Sequence, residues 1–286
     1  MQDSTVPSVI TVDDLRQLPD LSNVVFLDCR FDLADTEAGR QAFAMGHIPN
    51  ARYAHLDEDL SGKVIPGATG RHPLPSIPGI TARIASWGIE SRTHVVAYDK
   101  VTGPFAARCW WMLRWLGHER VSVLDGGYAA YHAAGLPIGV AEAPTRSATF
   151  TADVQHAMVV EADEVASLAA DATACLVDSR AAERFRGEIE PIDPIAGHIP
   201  GAVNLDFATH LGEDGTFLPV DQLRSNLERA WGGKSAKDVA FYCGSGVTAA
   251  FNILAANHAG LGMPRLYPGS WSEWITNPDR AVATGE

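Results

Sequence analysis

The sequence predicts an α/β protein of two tandem domains, each a mostly parallel sheet covered by helices on both faces. Three observations carry this expectation. The chain has 286 residues, which suits two domains better than one. Its pattern alternates short apolar β-branched runs with stretches of helical periodicity, as covered parallel sheets do. It also repeats itself once, with four landmarks in the same order in each half.

The landmarks are as follows. Asp28-Cys29-Arg30 precedes Gly46-His47-Ile48-Pro49-Asn50-Ala51, and Asp178-Ser179-Arg180 precedes Gly197-His198-Ile199-Pro200-Gly201-Ala202. Val95–Asp99 corresponds to Val239–Cys243, and Val123–Tyr128 to Arg265–Trp271. One match would mean little; four in order imply a duplicated domain. The best linker is Leu136–His156, with Pro137 and Pro144 among small residues. It divides the chain into residues 1–145 and 146–286, with the boundary near 145.

Strands are expected at Val24–Asp28, Val95–Asp99 and Val121–Leu124, and again at Cys175–Asp178 and Val239–Tyr242, because each is a short buried-type run. Helices are expected at Thr36–Met45, Pro78–Trp87, Pro104–Leu116 and Tyr128–Ala134 in the first half. Those of the second half are Glu161–Ala170, Asp221–Ala230 and Val247–Ala259. Proline at the start and glycine past the end mark the Pro104–Leu116 helix.

The composition narrows function. Hydrophobic residues make up 46% and charged residues 20%, ordinary for a globular chain. The formal net charge of −13 argues against nucleic acid or an anionic membrane as partner. The first residues lack a basic and an apolar region, and no apolar run approaches the roughly 18 residues of a membrane span. A cytoplasmic protein is expected. Four cysteines, Cys29, Cys109, Cys175 and Cys243, form no CxxC pair, so neither a structural zinc site nor a disulfide framework is expected. Cys29, Cys109 and Cys175 fall in apolar runs and read as inert core.

Cys243 differs. It ends an apolar strand and is followed by Gly244, Ser245 and Gly246, then by a helical stretch starting at Val247 and Thr248. Ligands of open α/β sheets bind outside the carboxyl ends of the strands. Two glycines let successive N–H groups turn inward as an anion-binding nest, and a helix N-terminus adds its dipole. All of these stabilise a thiolate or a persulfide anion on Cys243. The first half carries Asp99 at this place, so it has the scaffold without the nucleophile.

Cys243-Gly244-Ser245-Gly246-Val247-Thr248-Ala249 resembles the active-site loop of 3-mercaptopyruvate sulfurtransferases in the rhodanese superfamily. The resemblance extends to both Gly-His-Ile-Pro segments, to His72-Pro73-Leu74-Pro75 and to Tyr267–Trp271. It implies two rhodanese domains, the second catalytic and the first inert. It implies a catalytic Cys243, with Ser245, His72 and Asp57 handling protons from a cleft between domains. It implies that Arg184 binds the anionic group of the donor alongside Gly244, Gly246, Val247 and Thr248. A second arginine expected near Glu190-Pro191-Ile192-Asp193 is replaced by Ile192, and Arg186 is the candidate substitute. His47 and His198 occur in both halves and read as structural. Trp271 and Trp274 read equally as site walls or core.

The activity implied is ping-pong sulfur transfer from 3-mercaptopyruvate or thiosulfate to cyanide, a thiol or a thioredoxin-like acceptor, with no cofactor or metal, by a monomer. A cysteine phosphatase would need Cys-x5-Arg, and Ala249 occupies that arginine's place. A protein sulfur carrier, loaded by a partner, is the alternative from outside catalysis.

Overall fold

The computed structural model describes residues 6–141, 143 and 148–286. The boundary expected near residue 145 lies outside the described residues. Contacts divide the chain into two units. The first comprises Met1–Gly62, Pro75–Gln155 and Gly212–Phe217; the second comprises Lys63–Leu74, His156–Leu211 and Leu218–Glu286. Each unit therefore contains a short segment from the other half of the chain.

The first unit runs β1 (Val9–Ile10), α1 (Val12–Arg16), β2 (Val24–Asp28), α2 (Ala38–Met45), β3 (Arg52–Tyr53), α3 (Ile77–Ser86), β4 (His94–Tyr98), α4 (Pro104–Trp115), β5 (Val121–Leu124) and α5 (Gly127–Ala133). Its five strands pair in the order β1-β5-β4-β2-β3, all parallel. Every residue of β4 is buried, as expected for a central strand covered on both faces. The helix α4 is buried nearly all round, from Ala106 to Leu113. Ile10, Phe26, Phe43, Val96, Tyr98 and Tyr131 lie in one core cluster.

The second unit runs α6 (Ala162–Ala170), β6 (Cys175–Asp178), α7 (Ala182–Phe185), β7 (Val203–Asn204), α8 (Val220–Trp231), β8 (Val239–Tyr242), α9 (Thr248–His258), β9 (Arg265–Leu266) and α10 (Ser270–Trp274). Its strands pair β7-β6-β8-β9, again parallel. A bridge of Val159 to Leu266 stands where the first sheet has β1. Trp271 and Trp274 belong to the core cluster of this unit, with Val165, Leu176 and Tyr242. Their indole N–H groups donate to the Ile195 and Ala281 carbonyls.

The duplication is visible bond by bond. Arg30 clasps buried Asp28 and donates to the Gly46 carbonyl at 2.7 Å; Arg180 clasps Asp178 and donates to the Gly197 carbonyl at 2.7 Å. His47 stacks on Phe43 at 3.8 Å and His198 on Phe185 at 3.7 Å, ring centre to ring centre. Each Nδ1 donates to the carbonyl of the phenylalanine beneath it. The Ile48 and Ile199 N–H groups donate to Tyr98 and Tyr242. These bonds tie each Gly-His-Ile-Pro turn to the central strand, which explains its presence in both halves.

Candidate functional site

The candidate site lies at the carboxyl end of β8 and is built within the second unit. Cys243 follows Tyr242 directly, so it sits where the sheet ends and backbone donors become available. Cys243 is 2% exposed. Gly246 has a φ of 77°, a left-handed conformation that glycine adopts without a Cβ clash. That turn aims the Gly246 N–H at Cys243 Sγ, 3.1 Å away. Thr248 then opens α9, whose buried first turns fix its N-terminus beside the loop. Of the successive N–H groups expected to turn inward, the Gly246 N–H is the one that reaches Sγ among the described residues, beside the start of α9.

The loop is held from behind by α10. The Cys243 N–H donates to Ser270 Oγ at 3.1 Å, and Ser270 Oγ donates to the Tyr267 carbonyl at 2.9 Å. The Trp271 N–H donates to the Cys243 carbonyl and the Ser272 N–H to the Gly244 carbonyl. Ser270 holds a φ of 54°, unusual for a non-glycine residue. These bonds hold the Cys243 backbone in place, and Ser270 stands out in the sequence only by its place in Tyr267–Trp271.

The segment Lys63–Leu74 delivers two side chains to this loop. His72 Nδ1 lies 2.8 Å from Ser245 Oγ, both residues being buried. Arg71 donates its backbone N–H to Ser272 Oγ at 3.0 Å. Its guanidinium pairs through Nη1 with Asp193 Oδ1. A Cβ placed on Gly244 would stand 2.8 Å from Arg71 Nη2 and 3.7 Å from both terminal nitrogens of Arg184. Two guanidiniums therefore converge on the residue after Cys243.

Arg184 comes from the short helix α7 and is anchored by Glu190, through Nη2 at 2.7 Å and Nε at 3.2 Å, and by Asp193 at 3.3 Å. Burial works against the Glu190 charge, but hydrogen bonds from Arg184 and from the Asp193 and Ile192 N–H groups outweigh it and hold its carboxyl below the usual range. Burial pushes the Asp193 carboxyl up, opposed by Arg71 and Arg184. Arg186 is elsewhere: its fork closes on exposed Glu188 through two bonds of 2.8 Å. Asp57 belongs to the first unit. Its N–H donates to His55 Nδ1 at 3.1 Å, and burial raises its carboxyl.

In the first unit, Asp99 follows β4 as Cys243 follows β8. Its Oδ2 accepts the N–H groups of Phe105 and Ala106 at 3.0 and 3.2 Å, in the first turn of α4. The other cysteines, Cys29, Cys109 and Cys175, are buried and unbridged. One group of possible metal ligands occurs among the described residues, Glu37, His55 and Glu58. All three members are already committed: Glu37 pairs with Arg40 at 3.3 Å. Glu58 pairs with Arg40 at 2.8 Å, and His55 uses both ring nitrogens within the chain. Among the described residues no helix is long and apolar enough to cross a membrane.

Arg71 and Asp193 were not recognised as site residues from the sequence. The one available signal was that Arg71 precedes His72; an isolated ion pair 122 positions apart leaves no local pattern.

Comparison with known proteins places these features in context. The rhodanese-like domain family matches residues 11–134 and 161–277. A Pseudomonas aeruginosa protein named probable 3-mercaptopyruvate sulfurtransferase is 46% identical over 279 residues, covering 97% of this chain and 98% of that protein. An Arabidopsis thaliana thiosulfate/3-mercaptopyruvate sulfurtransferase is 31% identical, covering 99% of this chain and 80% of its own. The solved structure of 3-mercaptopyruvate sulfurtransferase from Leishmania major superposes with a TM-score of 0.82 at 34% identity, covering 94% of this chain and 75% of that one.

Proposed function

The chain belongs to the rhodanese-like domain family, and from that premise we propose that it is a sulfurtransferase carrying sulfur as a persulfide on Cys243, with 3-mercaptopyruvate as donor. The observation that carries the reading is the Gly246 N–H aimed at Cys243 Sγ beside the start of α9. A fixed donor and a helix end favour negative charge on that sulfur, whether thiolate or persulfide.

The chemistry runs in two halves. The Cys243 thiolate attacks the donor's sulfur; an S–S bond forms, and the C–S bond breaks with its electron pair leaving on carbon. The donor thiol's proton ends on that carbon, so the departing product is pyruvate. Ser245 and His72 are placed to pass this proton, since their heteroatoms already share a hydrogen bond of 2.8 Å. A thiophilic acceptor, such as cyanide, a thiol or a thioredoxin-like dithiol, then attacks the outer sulfur and returns the Cys243 thiolate. No step calls for a metal or an organic cofactor. The second half of the chain holds the nucleophile and Ser245, the segment Lys63–Leu74 of the first half adds His72 to the same unit, and the first domain, with Asp99 in the nucleophile's place, is inert.

The test is steady-state transfer to cyanide with 3-mercaptopyruvate and with thiosulfate. The proposal expects a higher kcat/KM for 3-mercaptopyruvate, because Cys243–Ala249 resembles the active-site loop of 3-mercaptopyruvate sulfurtransferases. A preference for thiosulfate overturns the donor assignment. No turnover with either donor overturns the catalytic reading and favours a carrier loaded by a partner protein.

A further inference from the structure

The stretch Glu190–Asp193 lacks the arginine that the family resemblance leads one to expect, and Ile192 there is an exposed side chain. Its neighbour Asp193 is buried, with its side chain 3% exposed, and is gripped by two guanidiniums. One is Arg184. The other is Arg71, which comes from the other half of the chain yet packs in the same unit as Cys243. A buried carboxylate between two arginines fixes both, because each oxygen takes a different partner: Oδ1 takes Arg71 and Oδ2 takes Arg184.

Asp193 does not exhaust these donors. Glu190 takes Nε and Nη2 of Arg184, and Asp193 takes Nη2 of Arg184 and Nη1 of Arg71. Among the described residues no acceptor engages Arg184 Nη1 or Arg71 Nη2. Both of these nitrogens face Gly244, at 3.7 and 2.8 Å from the place its Cβ would take. The absence of a side chain at Gly244 leaves room between them, one residue from the nucleophile. Free N–H groups of two planar forks, held at a fixed separation, suit a planar anion with two oxygens.

We propose that Arg71 is the second donor-binding arginine: with Arg184 it clamps the carboxylate of the sulfur donor over Gly244, and Asp193 positions the pair. This rests on the sulfurtransferase reading above and assigns the donor-recognition role to a residue outside the Arg184–Asp193 stretch.

The experiment compares wild type, Arg71→Met and Arg71→Lys with two donors, 3-mercaptopyruvate and a neutral alkyl hydropersulfide (RSSH), which has no carboxylate and passes its outer sulfur to the Cys243 thiolate as RS⁻ leaves. Arg71→Met should raise KM for 3-mercaptopyruvate about tenfold to a hundredfold, the worth of a hydrogen bond to a charged group. Its kcat should change far less, and loading from the hydropersulfide should match wild type. Lysine restores a point charge but no fork, so Arg71→Lys should recover part of the KM. Arg71→Gln removes the charge and the fork but keeps a polar side chain; it should give the same donor-selective loss, and it covers the case in which Arg71→Met fails to fold. An unchanged KM in both Arg71→Met and Arg71→Gln overturns the inference, as does an equal loss with both donors. If wild type takes sulfur from neither donor, it is the sulfurtransferase reading that fails.

Discussion

Ser245 Oγ and His72 Nδ1 lie 2.8 Å apart although 173 positions separate them in the chain. The bond is buried, and Ser245 is two residues from Cys243, so a proton passed along it would be delivered at the nucleophile. His72→Asn and Ser245→Ala should each lower kcat with 3-mercaptopyruvate, by about a hundredfold or more if the pair acts in general acid–base catalysis. The double variant should be little worse than either single one, because the two groups act as a unit. Discharge of a preformed persulfide by cyanide needs no proton transfer and should keep its rate. Additive losses in the double variant would separate the two roles.

Ser270 shapes the nucleophile without touching substrate. Its φ of 54° carries the strain of a left-handed L-residue, of order 1–2 kcal/mol, and its Oγ accepts the Cys243 N–H. Ser270→Ala keeps the strain and leaves a buried N–H unpaired, so it should cost about 1–3 kcal/mol. Ser270→Gly removes both the hydroxyl and the strain and should cost less. Urea unfolding followed by tryptophan fluorescence ranks the three proteins. Alanine equal to serine would show that the bond contributes nothing.

Asp99 should leave a signature in pH-dependent stability. Burial lifts its carboxyl to about 7, against the N–H bonds of Ala106 and Phe105 and helped by the nearby Asp28 charge. The folded state therefore binds a proton that the unfolded state has released. Its contribution is complete below the ordinary carboxylate value near 4 and is lost as pH rises through about 7, at about 1.4 kcal/mol per pH unit between. Asp99→Asn should flatten this fall. The difference between the two stability curves over pH 4 to 7 checks it, and parallel curves would contradict it.

Much of the fold was legible because it is local. Short buried runs such as Val24–Asp28 and Val239–Tyr242 announce central strands, and they form at those residues. The two-residue strands β1, β3, β7 and β9 were not, since two residues carry no periodicity. The Cys243 loop was legible from its glycines alone. The placement of Lys63–Leu74 and Gly212–Phe217 was not, because each is fixed by a few long-range bonds. Arg71 to Ser272 and Phe217 to Asp125 are examples. That is also why the sequence offered Arg186 as the spare arginine. Arg186 is near Arg184 in the chain, but its nearest carboxylate, Glu188, claims it first.

The central claim is that sulfur rides on Cys243. Intact-protein mass spectrometry after brief exposure to 3-mercaptopyruvate, followed by removal of excess donor, tests it directly. Wild type should gain the mass of one sulfur atom, located by peptide mapping on Cys243, and lose it on addition of cyanide with formation of thiocyanate. Cys243→Ser should gain nothing, while Cys29, Cys109 and Cys175 remain unmodified in both. Sulfur found on another cysteine, or turnover retained in Cys243→Ser, would contradict the account.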